Sequence, residues 1–391
     1  MAVKKSYEEI NQRIKEGTAV VVTAEEVIGI IKEKGIEEAA KEIDVVTTAT
    51  FGPMCSSGAF LNFGHSDPPI RMAKVWLNNV SAYAGLAAVD AFIGATEPSE
   101  DKGMEYGGAH VIQDLIDGKQ VHLKATSYGT DCYPRTEIDT YITKDDINQA
   151  YLFNPRNAYQ NYAAAVNCSE KVLHTYMGIL QPNMGNLTYS TSGELSPLLN
   201  DPYYRTIGIG TRIFLGGAIG YVSWEGTQHN PSKPRGENDI PLSPAGTLAV
   251  IGDLKEMNTK YIRAGVFEKY GVSMFVGIGV PIPILDEDMM KSVAIENKDI
   301  YTDVIDYSVP KRSKPTLGRI SYKELRSGTV EINGKKIKTS PLSSLAKARE
   351  IAQELKQWIK EGKFFVEKPI HPLPTVAKPN GLEIRGKKEE K

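Results

Sequence analysis

The sequence is poor in the residues that build disulfide frameworks and metal clusters. It has 3 cysteines and 6 histidines in 391 residues. The three cysteines are far apart along the chain, and this spacing argues against a disulfide framework and for a reducing compartment. Basic and acidic residues nearly balance, 46 against 48. No global field therefore attracts nucleic acid or an anionic membrane.

Long apolar runs are also missing. The longest, "SMFVGIGVPIPIL", is broken by glycine and proline and is shorter than the roughly 20 residues of a membrane span. The N-terminal stretch "MAVKKSYEEINQRIKEG" has no apolar segment after its lysines, so it does not have the pattern of a secretory signal. These absences predict a cytoplasmic protein without membrane association.

The residues that are present predict an α/β fold. Ser6 with Glu9, and Thr23 with Glu26, have the spacing of capping boxes at the starts of two helices. Gly35 stops or interrupts the second helix. The β-branched segment "IDVVTTAT" then predicts a strand that runs into the turn-rich loop "FGPMCSSGAF". We expect one large mixed-sheet catalytic domain.

The C-terminal part has the clearest local pattern. "VEINGKKIKT" predicts a hairpin with Asn333-Gly334 in a type I′ turn. Apolar residues then recur with helical spacing from Leu345 to Ile359, and Gly362 ends the helix. We expect this hairpin and helix to form a small appendage. The predicted catalytic domain spans residues 1–365, and residues 366–391 form a proline-dotted extended tail.

Cys132 is the first candidate catalytic residue. It lies in "KATSYGTDCYPR", just past a predicted strand, among turn formers and polar residues. Arg135 lies three residues on, and a nearby positive charge favours a thiolate, whereas Asp131 acts the other way. The functional interpretation is a nucleophilic or sulfur-carrying thiol. The alternative is a loop cysteine without a role.

Cys55 and Cys168 are the other thiols. Cys55 follows a predicted strand, and Ser56 or Ser57 is expected to cap a helix whose N-terminus favours a thiolate. The alternative is a small residue buried under a turn. Cys168, in "AVNCSEKVL", has the pattern of an ordinary core or helix-start cysteine. The three thiols together also permit an iron–sulfur cluster with one open iron position, although their spacing has no cluster signature.

Three other residues are candidates by type. His229, in "WEGTQHNP", is a loop histidine that can act as an acid or base near neutral pH, or simply bond to the backbone. Arg71, in "NFGHSDPPIR", and Arg135 can each pair with a substrate carboxylate, and the alternative for Arg71 is an internal pair with Asp67. The glycines of "GIGTRIFLGGAIG" do not have the spacing of a phosphate loop or dinucleotide fingerprint.

Four long motifs together identify a family. "VVTTATFGPMCSSGAFLNFGHSDPPIRM", "YGTDCYPR", "GGAIGYVSWEGTQHNP" and "GIGVPIPILDED" resemble the homocysteine-biosynthesis sulfur-incorporation family of methanogens and other anaerobes. The resemblance extends from about residue 5 to about residue 365. It implies an L-aspartate semialdehyde sulfurtransferase that contributes to homocysteine, and hence methionine, biosynthesis. Many relatives carry C-terminal CBS regulatory domains, and the resemblance implies a form without them.

The resemblance also implies roles for two thiols. The family's principal cysteines fall on Cys55 and Cys132, of which Cys132 is expected to be indispensable. The chemistry of these residues adds a hypothesis: sulfur is carried on Cys132 as a persulfide, and Cys55 attacks that persulfide, releases sulfide and leaves a disulfide for reduction. An external two-electron reductant is needed, and a small ferredoxin-like iron–sulfur protein is the expected donor. The competing version is an iron–sulfur cluster held by Cys55, Cys132 and Cys168.

Two other function classes remain open at this point. One is a thiol-dependent enzyme that acts on a different aldehyde or sulfur acceptor. The other is a non-catalytic scaffold or sulfide sensor that binds metal or sulfide and docks on a redox partner. Turnover separates these classes, because a scaffold makes no homocysteine from aspartate semialdehyde, a sulfur source and a reductant.

Overall fold

The computed structural model describes residues 3–385. Within that range it contains seven α-helices and 26 β-strands. The helices are α1 Tyr7–Glu16, α2 Ala24–Glu42, α3 Gly108–Ile116, α4 Pro197–Asn200, α5 Glu287–Ser292, α6 Tyr322–Leu325 and α7 Leu345–Lys360. Short 3₁₀ turns span Lys144–Asp146, Gly193–Leu195 and Leu254–Glu256.

The strands of the first half are β1 Val21–Thr23, β2 Val45–Pro53, β3 Gly58–Asn62, β4 Lys74–Leu77, β5 Val80–Ala82, β6 Asp90–Gly94, β7 Pro98–Ser99, β8 Gly103–Gly107, β9 Val121–Thr126, β10 Glu137–Ile142, β11 Gln149–Asn157, β12 Ala164–Val166, β13 Leu173–Thr175, β14 Gly178–Leu180 and β15 Asn186–Tyr189. Those of the second half are β16 Gly208–Ile209, β17 Arg212–Leu215, β18 Ala218–Glu225, β19 Leu248–Asp253, β20 Ile262–Phe267, β21 Gly271–Pro283, β22 Tyr301–Asp306, β23 Thr316–Ser321, β24 Thr329–Ile332, β25 Lys335–Pro341 and β26 His371–Pro372.

Both predicted N-terminal caps are present. The Ser6 hydroxyl accepts from the Glu9 backbone N–H at 3.1 Å, and the Glu9 carboxylate accepts from the Ser6 backbone N–H at 2.7 Å. Thr23 and Glu26 form the same reciprocal pair at the start of α2. Gly35, at a φ of 80°, interrupts the helical backbone of α2, as the sequence predicts.

A ten-stranded mixed sheet forms the centre of the fold. Its strand order is β1-β2-β21-β17-β18-β19-β11-β3-β6, with β20 also paired to β21. The long strands β2 and β21 run antiparallel over nine residue pairs, from Val45 with Pro283 to Pro53 with Phe275. Helix α7 covers these two strands closely, since a Cβ at Gly277 would lie 2.7 Å from the Ile351 side chain. Helix packing therefore explains glycine in this apolar strand.

Two six-stranded sheets flank the large one. The second sheet has the order β10-β9-β4-β5-β7-β8 and the third has the order β23-β22-β12-β15-β25-β24. The third sheet has a separate apolar core that includes Val166, Leu187, Ile300 and Tyr322. The α/β class with a large mixed sheet, predicted from the sequence, is confirmed.

The predicted C-terminal hairpin and helix are both present. Asn333 and Gly334 have φ angles of 53° and 74°, as a type I′ turn requires. The hairpin forms the edge of the third sheet, whereas α7 packs on the ten-stranded sheet. The following tail is anchored as far as Pro374: β26 pairs with β16, and Leu373 is buried. No helix among residues 3–385 is both long and apolar enough to cross a membrane.

Candidate active site

Cys55 lies in a short loop between β2 and β3. The backbone N–H of Met54 donates to the carbonyl of Met274 on β21 at 2.7 Å, which fixes the start of the loop. The Cys55 thiol lies 3.1 Å from the hydroxyl of Ser273, a fully buried residue of β21. The thiol is thus held against the central sheet rather than on a mobile turn.

A buried polar chain fixes the other end of this loop. The Ser57 hydroxyl donates to the Met54 carbonyl at 2.8 Å and accepts from the Asn154 amide at 2.6 Å. Ser57 and Asn154 are almost completely buried. The expectation that Ser56 or Ser57 caps a helix is wrong, because strand β3 begins at Gly58. Ser57 closes the turn instead.

Cys55 opens into a cavity of about 330 Å³ between the ten-stranded sheet and the third sheet. Cys55 and Ser56 line the cavity from the loop after β2, Tyr176 lines it from the turn of the β13–β14 hairpin, and Leu342 lines it from just after β25 of the third sheet. Arg156 is the only charged side chain that lines the cavity among residues 3–385. The other polar lining groups are hydroxyls, from Thr50, Ser56, Tyr159, Tyr162, Tyr176, Ser190, Thr191, Ser196 and Tyr270. The cavity therefore suits a small polar molecule with one negative charge.

Three tyrosines of the cavity, Tyr159, Tyr162 and Tyr270, keep their protons at neutral pH. Burial, followed by the negative charge of a Cys55 thiolate, raises the pKa of Tyr270 to about 12. Burial raises the pKa of Tyr159, against the opposing effect of Arg156, and burial also raises that of Tyr162. Tyr270 lies in the turn between β20 and β21, close to Cys55. Its hydroxyl can therefore donate a hydrogen bond to a substrate oxygen that develops negative charge at the thiol.

Cys132 lies in a different place, on the exposed loop between β9 and β10 of the second sheet. Arg135 ties this loop to the segment after β3. Its guanidinium donates to the carbonyls of Asp67 at 2.7 Å and Pro68 at 3.0 Å, and its backbone N–H donates to the Pro69 carbonyl. The rings of His65 and Tyr133 stack with centroids 5.9 Å apart. The motifs "NFGHSDPPIR" and "YGTDCYPR", which are far apart in sequence, thus form one surface.

The loops of Cys55 and Cys132 lie at opposite ends of β3 and β6. On the Cys55 side, the Ala95 N–H donates to the Ser57 carbonyl. On the Cys132 side, the Met72 backbone N–H donates to the Ala88 carbonyl. Met72 lies just after the segment that Arg135 binds. Five strand residues at roughly 3.3 Å each separate these ends by about 15 Å. Cys132 does not line the Cys55 cavity, and both thiols are free.

The two predicted carboxylate-binding arginines lie with Cys132. Arg135 uses its guanidinium on backbone carbonyls, so it organises the Cys132 loop. Arg71 is exposed just beyond the segment that Arg135 holds. Neither arginine lines the Cys55 cavity.

Cys168 lies apart from both other thiols, at the end of β12 in the third sheet. Its backbone N–H donates to the Asp306 carboxylate at 3.1 Å. Burial, followed by the negative charge of Asp306, raises the pKa of the Cys168 thiol. Residues 3–385 contain no group of three His, Cys, Asp or Glu side chains placed to hold a metal ion. Among these residues the three cysteines are therefore not gathered into one group.

His229 is buried, and both of its ring nitrogens bond to the backbone. The Thr247 N–H donates to Nδ1 at 3.1 Å, and Nε2 lies 2.9 Å from the Pro374 carbonyl. An accepting Nδ1 leaves the proton on Nε2, which donates to Pro374. His229 therefore anchors the C-terminal tail and does not line the cavity.

Replacement of His229 with alanine should lower the free energy of unfolding by about 1–3 kcal/mol, because the buried Thr247 N–H loses its acceptor and the tail loses an anchor. Urea unfolding of H229A measures this change, and the exposed His371→Ala serves as the control. A large loss of turnover in H229A with unchanged unfolding would instead support the predicted acid–base role.

Sequence reasoning missed Arg156, Ser273 and the tyrosines of the cavity. Arg156 follows an Asn-Pro pair at the end of β11, and Tyr270 follows "FEK" in a hairpin turn. Neither stretch has a motif with a known catalytic spacing. Only the pairing of β11 and β21 with distant strands brings them to Cys55.

Comparison with known proteins gives a consistent result. A family profile described as "Homocysteine biosynthesis enzyme, sulfur-incorporation" matches residues 19–366. An L-aspartate semialdehyde sulfurtransferase of Methanosarcina acetivorans is 57% identical over 371 residues, which are 95% of this chain and 72% of that protein. A protein of the same name from Methanocaldococcus jannaschii is 53% identical over 386 residues, 95% of this chain and 74% of that protein. No solved structure matches significantly.

Proposed function

Because the chain belongs to the homocysteine biosynthesis, sulfur-incorporation family, we propose that it is an L-aspartate semialdehyde sulfurtransferase whose sulfur acceptor binds in the Cys55 cavity. The observation that carries the proposal is the geometry of that cavity. One thiol, one guanidinium and several hydroxyls face a space of about 330 Å³. An amino-acid aldehyde needs such a set: a nucleophile for its carbonyl carbon and a cation for its carboxylate.

We propose that the Cys55 thiol is the group that attacks the aldehyde carbon. Direct attack of Cys55 on a Cys132 persulfide needs Cα atoms within about 7 Å. The placement of the two loops at opposite ends of β3 favours separate roles. The Cys55 thiolate adds to the carbonyl and forms a hemithioacetal, while the nearby Tyr270 hydroxyl donates to the developing oxyanion.

Cys132 is the sulfur carrier in this proposal. Its exposure allows a persulfide or polysulfide donor to reach it, and transfer of a sulfane sulfur then makes a Cys132 persulfide without an oxidant. Two electrons and two protons reduce this persulfide to the thiol and hydrogen sulfide. The organised Arg135 loop holds the thiol in place for that exchange.

The carbon–sulfur bond forms in the cavity. Sulfide replaces the hydroxyl of the hemithioacetal, and water leaves. Expulsion of the Cys55 thiol then gives a thioaldehyde, which two further electrons and two protons reduce to homocysteine. The sequence consumes four electrons from a sulfane donor, or two when sulfide itself is supplied, and returns both cysteines as thiols.

An external electron donor is therefore part of the proposal. A small ferredoxin-like iron–sulfur protein has suitable chemistry, because it passes single electrons at low potential. The reducing cytoplasm suits three free thiols. The test is anaerobic turnover of L-aspartate semialdehyde with polysulfide and reduced ferredoxin, followed by thiol analysis. Homocysteine formation supports the proposal, whereas no product under any reductant would favour a non-catalytic scaffold.

A further inference from the structure

We propose that Arg156 is the residue that binds the substrate's carboxylate, and that Thr227 orients it. The inference rests on the proposed function in so far as the substrate is an aldehyde that carries a carboxylate. It moves the recognition of that group away from Arg71 and Arg135, which lie outside the cavity.

The charge balance of the cavity supports this role. Arg156 is partly buried, and among residues 3–385 no Asp or Glu side chain lines the cavity with it. A guanidinium in a half-buried pocket without an anionic partner is stabilised when a ligand supplies one. The Tyr159 hydroxyl lies beside the guanidinium and offers a further donor to the same anion.

The guanidinium is also held in one orientation. Its Nε donates to the Thr227 hydroxyl at 2.9 Å, so Thr227 takes the inner nitrogen and leaves the two terminal amino groups for a bidentate carboxylate. The Thr227 backbone N–H donates to the Pro155 carbonyl at 2.7 Å, and the Thr247 hydroxyl donates to the Thr227 carbonyl. The "GTQHNP" motif thus orients the anchor through Thr227.

A chain of hydrogen bonds connects this anchor to the reacting thiol. The Arg156 backbone N–H donates to the Asn154 side-chain oxygen at 2.8 Å, and the Asn154 amide donates to the Ser57 hydroxyl in the Cys55 loop. Both links are short, and the one between Asn154 and Ser57 is buried. They fix the Arg156 backbone relative to the Cys55 loop, while Thr227 orients the guanidinium. The guanidinium and the thiol can therefore select an aldehyde by the length of chain between its carboxylate and its carbonyl carbon.

The first test measures binding without turnover. L-Homoserine, which has the carboxylate and amine of the substrate but an unreactive alcohol, should protect Cys55 from iodoacetamide in the wild type. 3-Aminopropanol, which lacks the carboxylate, should not. Arg156→Met should raise the homoserine concentration that half-protects Cys55 on the order of 100-fold. Arg156→Lys should require a concentration between those of the wild type and Arg156→Met. The exposed Arg263→Met is the matched control.

Thr227 gives a second variant that keeps the charge. Thr227→Val should raise the homoserine concentration needed for protection about tenfold, because the Arg156 Nε loses its hydrogen bond to the Thr227 hydroxyl. Thr227→Ser keeps a hydroxyl and should restore the wild-type concentration. Equal protection of wild type and R156M by homoserine, or no protection of the wild type, would overturn the inference. Protection that depends on Arg156, together with no homocysteine formation by the wild type, would support the anchor and overturn the proposed function.

Discussion

Replacement of Cys132 with serine should lower homocysteine formation from a sulfane donor on the order of 10³-fold or more, because a hydroxyl cannot carry sulfur as a persulfide. The loop should keep its shape, since Arg135 holds it through the carbonyls of Asp67 and Pro68 and not through the thiol. The measurement is anaerobic turnover with polysulfide as the donor. When sulfide is supplied directly, we expect C132S to recover much of its activity, because the carrier step is bypassed.

Cys168→Ser is the matched control for this variant. Cys168 is also exposed, but it lies in the third sheet beside Asp306, and we expect near-normal turnover. Loss of activity in C168S as severe as in C132S would favour a cluster that uses all three thiols, and iron analysis of an anaerobic preparation would then decide.

Replacement of Cys55 with serine should also lower homocysteine formation on the order of 10³-fold, and direct supply of sulfide should not rescue it. The reason is that Cys55 binds the aldehyde carbon in the cavity. This step is still needed once sulfide is available, so supplying sulfide does not bypass it. Serine can keep the contact with the Ser273 hydroxyl, so folding should be preserved. The comparison of polysulfide and sulfide as donors therefore separates the two cysteines.

Ser56→Ala tests whether the Cys55 effect comes from the loop alone. Ser56 also lines the cavity but contributes no thiol, and we expect a small loss of turnover. Rescue of C55S by sulfide to the level seen in C132S would contradict the assigned role and favour Cys55 as the resolving thiol of a Cys132 persulfide.

The local elements of this fold follow from short sequence patterns. The capping boxes at Ser6 and Thr23, the Asn333-Gly334 turn and the helix that starts at Leu345 depend on residues within a few positions of one another. Such interactions form within one segment, so sequence alone predicts them. The positions of Cys55 and Cys132 just past strands are predicted for the same reason.

The cavity could not be predicted in this way, because it depends on long-range pairing. Arg156 reaches Cys55 only after β11 pairs with β3, and Ser273 only after β21 pairs with β2. For His229 the sequence predicts a catalytic role that the structure does not place in the cavity. Its loop motif suggests an acid or base, but burial and two backbone bonds become visible only when Thr247 and Pro374 are in place. Motifs identify important segments, whereas tertiary contacts assign the role of each residue.

The central claim is that sulfur is loaded at Cys132 and joined to carbon at Cys55. Whole-protein mass spectrometry after polysulfide treatment tests it most directly. Wild type and C55S should each gain the mass of one sulfur atom at Cys132. With reductant and L-aspartate semialdehyde, the sulfur should leave both proteins, but only wild type should convert it to homocysteine. An equal sulfur gain by C132S would contradict the claim.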